Sequence, residues 1–295
     1  MKGRFGWEGV SDEGAFRMKN KRFILGAAVF LCGLGVTLYP EVSNLWNSRR
    51  QEQLAQEYQA AVSVLNDEEK DALWEKARDY NANLTGYVGS DAFSEENDGE
   101  DSDGKDSVYQ SLLNPAGDGV MGYLSIPKID LYLPIYHGTG DESLSSGVGH
   151  LEGTSLPVGG EGTHAVLAGH RGLPSAALFT DLDWLEEGDV FYLYILVETL
   201  TYEVTGTEVT EPTETESLAI VPGEDLVTLV TCTPYGVNTQ RLLVHASRVE
   251  TAAEAETAGG GGLYGFAWMA YGLPAIAVLG VLLLALLLWI FRKKK

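Results

Sequence analysis

The sequence predicts a mainly β fold, in which one closed or sandwiched β domain follows N-terminal helices and two apolar segments frame the whole. Three observations predict it. Short β-branched and aromatic runs separated by Gly and Pro crowd residues 118–250, the composition turns helical between Val42 and Asn81, and charge-free stretches of membrane length lie near both ends.

The elements follow in chain order. Residues 1–22 form a tail ending in Lys19, Lys21 and Arg22, and residues 23–39 carry no charge. Such a run approaches the roughly 20 apolar residues that span a hydrocarbon core. Tyr39-Pro40-Glu41-Val42 offers no small-x-small cleavage site, so this segment is expected to be retained as an anchor. Residues 40–88 read as a helical stalk, with Leu54, Tyr58, Ala61 and Leu65 as an apolar stripe and Asp67-Glu68-Glu69 as an acidic helix start. Residues 89–117 begin with a charged stretch without periodicity, expected to be a solvated linker. Phe93 stands out there, an aromatic with nothing local to pack against.

In the β domain, strands are expected at 122–126, 131–135, 165–168, 190–196, 201–204, 226–230 and 242–244, and about 130 residues are ample for a core. Residues 251–268 contain Gly259 to Gly262 and form a flexible linker. A second anchor at 269–291 and a basic tail at 292–295 close the chain. It could also be the tail of a cell-wall sorting signal, but Leu273-Pro274-Ala275-Ile276-Ala277 is not the pentapeptide such a signal needs. Basic residues flanking both apolar runs place both termini in the cytoplasm and the β domain outside the cell membrane. Residues 40–264 hold 10 Lys and Arg against 39 Asp and Glu, a balance of −29. A surface this acidic repels phosphate backbones and argues against a nucleic-acid partner.

The chemistry centres on Cys232. The other cysteine, Cys32, lies in the first apolar run, so an exported domain would carry one thiol with no disulfide partner. Side-chain alternation puts Cys232 at the end of a strand, before the turn residues Pro234-Tyr235-Gly236. If the chain returns as a hairpin, Arg241 lands beside the thiol, where a guanidinium can favour the thiolate and donate to an oxyanion. An Arg on a strand surface fits that position equally well. A thiol nucleophile usually needs a histidine as acid and base. His245 would sit four residues beyond Arg241, about 14 Å away along the strand. His170 closes the run Ala165-Val166-Leu167-Ala168-Gly169, a strand-end position where catalytic side chains concentrate. That puts His170 first, although a structural role fits each of His137, His150, His164, His170 and His245.

Thr228-Leu229-Val230-Thr231-Cys232 resembles the TLxTC signature of sortases, the cell-wall transpeptidases of Gram-positive bacteria. Pro134-Ile135-Tyr136-His137-Gly138-Thr139, Gly169-His170-Arg171-Gly172-Leu173-Pro174 and Cys232-Thr233-Pro234-Tyr235-Gly236-Val237-Asn238-Thr239 resemble its class C, pilin-polymerising branch. The resemblance implies a closed barrel of about eight strands and a catalytic set of Cys232, His170 and Arg241. It also implies substrate contacts at Thr231 and Tyr235, and an N-terminal lid. In the branch the lid carries an Asp-Pro-aromatic motif; here Asp91-Ala92-Phe93 occupies the matching region, so Asp91 would reach Arg241 and Phe93 would cover Cys232. Without the proline the plug is expected to be looser. The implied partners are pilin or surface proteins bearing LPxTG-like sorting signals, together with an amine acceptor, either a pilin lysine or the cell-wall precursor. No cofactor and no metal is implied. A housekeeping sortase, or a surface domain that binds sorting motifs without turnover, are the alternative expectations.

Overall fold

The computed structural model describes residues 12–84, 91–94, 107–173 and 176–250. The expected linker at 251–268, second anchor at 269–291, tail at 292–295 and most of the acidic segment after Ser94 lie outside the described residues. Contacts divide the chain into two units. Residues 1–50 with 174–176 form one, described as the greater part of the helix α1 (Asp12–Val64). Residues 51–173 and 177–295 form the other, which holds the barrel.

The expected anchor at 23–39 and the start of the expected stalk at residue 40 form one continuous helix, since α1 runs through Pro40. A helix can absorb an internal proline by forfeiting one backbone hydrogen bond, and the residues on either side restore helical geometry. The first expected anchor falls within α1, yet among the described residues no helix is long and apolar enough to cross a membrane. The helix α2 (Asp67–Ala82) starts where the acidic cluster predicts, under a capping box in which Asn66 and Glu69 satisfy each other's backbone N–H groups.

Eight strands close into a barrel: β1 (Val120–Ile126), β2 (Leu131–His137), β3 (Val148–His150), β4 (Thr163–Ala168), β5 (Val190–Ile195), β6 (Glu198–Thr210), β7 (Asp225–Thr233) and β8 (Gln240–Val249). Their order around the wall is β1-β2-β3-β4-β7-β8-β6-β5. The β2/β3 and β4/β7 pairs are parallel, and the others are antiparallel. Leu124 pairs with Leu133 and Leu193, and Leu229 pairs with Leu167 and Val244, so these side chains fill the interior. All of them are buried.

The outer wall is covered at two places. At the first, Ala55, Tyr58 and Val62 at the end of α1 pack on Val120 and Tyr123. The Tyr58 hydroxyl donates to Met121 O at 2.8 Å and accepts from Leu196 N at 2.9 Å, which locks this helix end to the β1 and β5 strands. Nearby, Asn81 of α2 exchanges two hydrogen bonds with the Leu156 backbone. The second place lies over β4, β7 and β8, where Val166, Ala168, Val230 and Leu243 form an apolar bed with Leu144, Leu151 and Leu218. Ala92 and Phe93 rest on that bed.

Candidate active site

The β7–β8 hairpin sets Cys232 directly opposite Arg241, the pairing its strand alternation and turn residues predict. On the other side of β7, the parallel ladder with β4 ends with Ala168 level with Val230. It continues through Gly169, whose N–H donates to Val230 O at 3.0 Å and whose carbonyl accepts from the Thr231 hydroxyl at 2.7 Å. Carrying that register one step further brings His170 level with Cys232. Cys232 and Arg241 therefore face each other on adjacent strands about 4.8 Å apart, and His170 follows two residues past the end of β4 on the other side of β7. Paired residues on neighbouring strands point to the same face, so Cys232 and Arg241 share one, and the Phe93 ring reaches both Arg241 and His170.

Thr231 does not join them. It is 0 % exposed, faces the interior by alternation, and spends its hydroxyl on the Gly169 carbonyl. In the closed arrangement this hydroxyl supports the strand end, and a substrate contact at Thr231 stays an expectation for its backbone. Tyr235, by contrast, is exposed on the β7–β8 loop, with its ring under the Arg171 guanidinium at 5.9 Å.

The segment Asp91–Ser94 lies over His170 and Arg241. The Ser94 N–H donates to Asp91 O at 3.2 Å, closing a β-turn that forms without the branch's proline. Ala92 occupies the i+1 position and buries its methyl group in the apolar bed. The Asp91 carboxylate accepts from Arg241 Nε at 2.8 Å and Nη2 at 2.5 Å, a bidentate pair in which the two side chains are only 14 % and 11 % exposed. Arg241 Nη1 donates to the Gln240 and Asn238 carbonyls at 3.1 and 3.3 Å. The guanidinium therefore faces a carboxylate on one side and backbone carbonyls on the other.

The Phe93 ring lies 5.1 Å from the Arg241 guanidinium and 5.7 Å from the His170 ring. It thus touches the residues on both sides of Cys232. Cys232 is 8 % exposed. Burial pushes its thiol pKa up, Arg241 pulls it down, and the Asp91 carboxylate pushes it up again, with a net rise. Burial is the largest of these influences, and the closed arrangement as a whole favours the thiol over the thiolate.

The remaining histidines have other partners. His150 is enclosed, with Nδ1 accepting from the Tyr109 hydroxyl at 2.9 Å and Nε2 donating to Ser155 O at 2.8 Å. Burial holds its pKa down to about 4. His137 contacts the Gly119 and Leu112 carbonyls, and His164 contacts Ala219 O and Thr228 Oγ1. His245 pairs with Thr228 on β7, four residues before Cys232. Among the described residues no cluster of His, Cys, Asp and Glu could hold a metal ion.

The geometry also shows a residue that the sequence offers only within the string Gly169-His170-Arg171-Gly172-Leu173-Pro174. Arg171 follows His170, and its side chain reaches Thr180 O, Asp183 and Thr233. Its adjacency to His170 was the one signal in the sequence.

Comparison with known proteins places the same residues in a wider set. Residues 124–249 match the family described as the sortase domain. Sortase A of Streptococcus agalactiae is 33 % identical over 142 residues, 47 % of this chain and 56 % of that protein. Sortase D of Bacillus subtilis is 30 % identical over 143 residues, 48 % of this chain and 69 % of that protein. The chain thus spans little more than half the length of the first of these. Among solved structures, sortase C-1 of Actinomyces oris superposes with a TM-score of 0.59 at 47 % identity, covering 62 % of this chain and 99 % of that one. Sortase C of Streptococcus pneumoniae, whose structure was described for its bearing on catalysis and pilin substrate specificity, gives 0.58 at 39 % identity, covering 68 % and 98 %.

Proposed function

Since the chain belongs to the sortase family and its class C branch, we propose that it is a membrane-anchored cysteine transpeptidase of pilus assembly. It cleaves an LPxTG-like sorting motif through a thioester and joins the motif to a lysine amine of another pilin subunit. The observation that carries this reading is the pairing of Cys232 with Arg241 across β7 and β8, with His170 just past the end of the neighbouring β4 and the Phe93 ring on both His170 and Arg241.

The chemistry follows from these three residues. With the lid away, the Cys232 thiolate attacks the Thr–Gly carbonyl carbon, and Arg241 donates hydrogen bonds to the oxyanion. Protonated His170 gives its proton to the departing glycine amine as the C–N bond breaks, leaving a thioester on Sγ. The incoming lysine amine loses a proton to His170 and attacks the thioester carbonyl. An isopeptide bond forms and the thiolate is restored. No electrons change hands, so the reaction needs no redox cofactor. The charge-free segments at 23–39 and 269–291 hold the enzyme in the membrane, with both termini cytoplasmic and the barrel outside.

The test incubates the full-length protein with an LPxTG-type peptide and looks by mass spectrometry for the Cys232 thioester. The wild type accumulates it and Cys232→Ala does not. A Cys232→Ala protein that still transfers peptide would overturn the assignment. The cross-link in the product then identifies the acceptor: a pilin lysine supports pilus assembly, and a cell-wall precursor amine supports the housekeeping role instead.

A further inference from the structure

Arg171 draws three separate stretches of chain together beside the site. Its Nε donates to Thr180 O at 3.1 Å, its Nη2 to Asp183 Oδ2 at 2.5 Å, and its Nη1 to Thr233 Oγ1 at 3.4 Å. The guanidinium also lies over the Tyr235 ring. Its side chain is only 9 % exposed, although Asp183 and Tyr235 are well exposed. Gly172 completes the joint: a Cβ there would meet the Tyr235 ring at 3.0 Å, and φ is +78°.

The position of these contacts along the strands matters more than their number. Gly169 is tied to Val230 and Thr231 one step before His170 and Cys232. Arg171 is tied to Thr233 one step after them. The β4/β7 ladder itself ends at Ala168 and Val230. Beyond that point Gly169 and Arg171 tie the His170 strand end to the Cys232 strand end.

We propose that Arg171 is a positioning residue of the transfer reaction. It fixes the His170–Cys232 separation from the far side and, through Tyr235, seats the β7–β8 loop next to the nucleophile. The guanidinium suits this task because its planar fork serves three acceptors in different directions while its face stacks on a ring. A lysine keeps the charge but offers a single ammonium group that cannot span Thr180, Asp183 and Thr233 together. The proposal rests on reading His170 as the proton donor and Cys232 as the nucleophile, so the test carries one measurement that needs no sorting-motif substrate.

Full-length Arg171→Ala, Arg171→Lys and Thr233→Val are compared with wild type, all in an Asp91→Ala background that frees the thiol. One readout is the single-turnover rate of thioester formation from an LPxTG-type peptide. The other is the pH profile of Cys232 alkylation by iodoacetamide, which senses how His170 couples to the thiol. A misplacement of about 1 Å costs on the order of 100-fold in rate, so Arg171→Ala is expected to lower the thioester rate about 30- to 100-fold, and the peptide KM far less. Its alkylation profile is expected to move toward that of an uncoupled thiol. Arg171→Lys is expected to recover less than about threefold of the lost rate, and Thr233→Val, which removes only the long Nη1 contact, to lose about threefold. Wild-type rates and an unmoved profile in Arg171→Ala would overturn the proposal, as would full recovery by lysine, because charge alone would then suffice. If Arg171→Ala does not fold, a folded Thr233→Val with an unchanged rate and profile overturns it. A wild-type protein that forms no thioester refutes the transpeptidase reading. The alkylation profiles still decide whether Arg171 couples His170 to Cys232.

Discussion

Replacing Asp91 by alanine tests the closed site most directly. The pair with Arg241 consists of two charge-assisted hydrogen bonds between side chains that are mostly shielded from water. Hydrogen bonds to charged groups contribute about 1.5–3 kcal/mol to the state that makes them. Ala92 and Phe93 keep their apolar contacts in the variant, so only this polar share of the closing energy is lost. At about 1.4 kcal/mol per factor of ten, the open fraction then rises roughly 10- to 150-fold. A second effect has the same sign. The Asp91 carboxylate raises the Cys232 thiol pKa, so its removal lowers that pKa and increases the thiolate fraction near neutral pH. The assay is pseudo-first-order alkylation of the full-length protein by iodoacetamide, quantified on the Cys232 peptide so that Cys32 does not contribute. Asp91→Ala is expected to react at least tenfold faster at pH 7, with its rate profile displaced to lower pH. A rate within twofold of wild type, or a profile displaced upward, would refute the reasoning that the carboxylate both holds the lid and suppresses the thiolate.

Two further outcomes are expected. Ala92→Pro places proline at the i+1 position of the Asp91–Ser94 turn, where it is favoured; a compatible proline stabilises by about 0.4–1 kcal/mol, so Cys232 alkylation should slow about two- to fivefold. Faster alkylation in that variant would show that the turn cannot accept the ring. The second concerns acid stability. His150 has a folded-state pKa of about 4 against an ordinary 6.5, so the unfolded chain takes up a proton first as pH falls. Stability is full above pH 6.5 and drains between 6.5 and 4, by about 3 kcal/mol in all from this residue. His150→Gln, whose amide can still serve Tyr109 and Ser155, should flatten the fall of melting temperature over that window. A profile as steep as wild type would assign the acid sensitivity to other groups.

The candidate site was legible to differing degrees, for physical reasons. Cys232 and Arg241 could be paired from the sequence because a hairpin with alternating faces leaves little freedom of register. His170 lies just past the end of a parallel ladder between strands distant in sequence, and no local pattern encodes such a pairing, so the residues alone could only nominate it. The strand β3 (Val148–His150) escaped notice because three residues carry no alternation. The strand β6 was foreseen only at Thr201–Val204. Its later half, from Thr205 to Val209, is half-buried or exposed throughout and shows no apolar face. Phe93 was visible as a misfit in a polar stretch, and its packing on the bed over β4, β7 and β8 accounts for it. Arg171 was hidden because its partners Thr180, Asp183 and Thr233 are ordinary loop and strand-end residues that only the folded chain assembles.

The Asp91–Arg241 pair sets a tethered carboxylate against the guanidinium. A carboxylate tethered beside its target acts at an effective concentration of millimolar or above, at no cost in diffusion. Free acetate, or a peptide that offers only a terminal carboxylate, must outcompete that tethered group and so gains little purchase on Arg241. An antagonist that engages the apolar bed under Ala92 and Phe93 displaces the tethered carboxylate along with the turn, and so meets a weaker opponent. Potency against this protein should therefore follow how well a molecule replaces the turn, more than how strongly it binds a guanidinium.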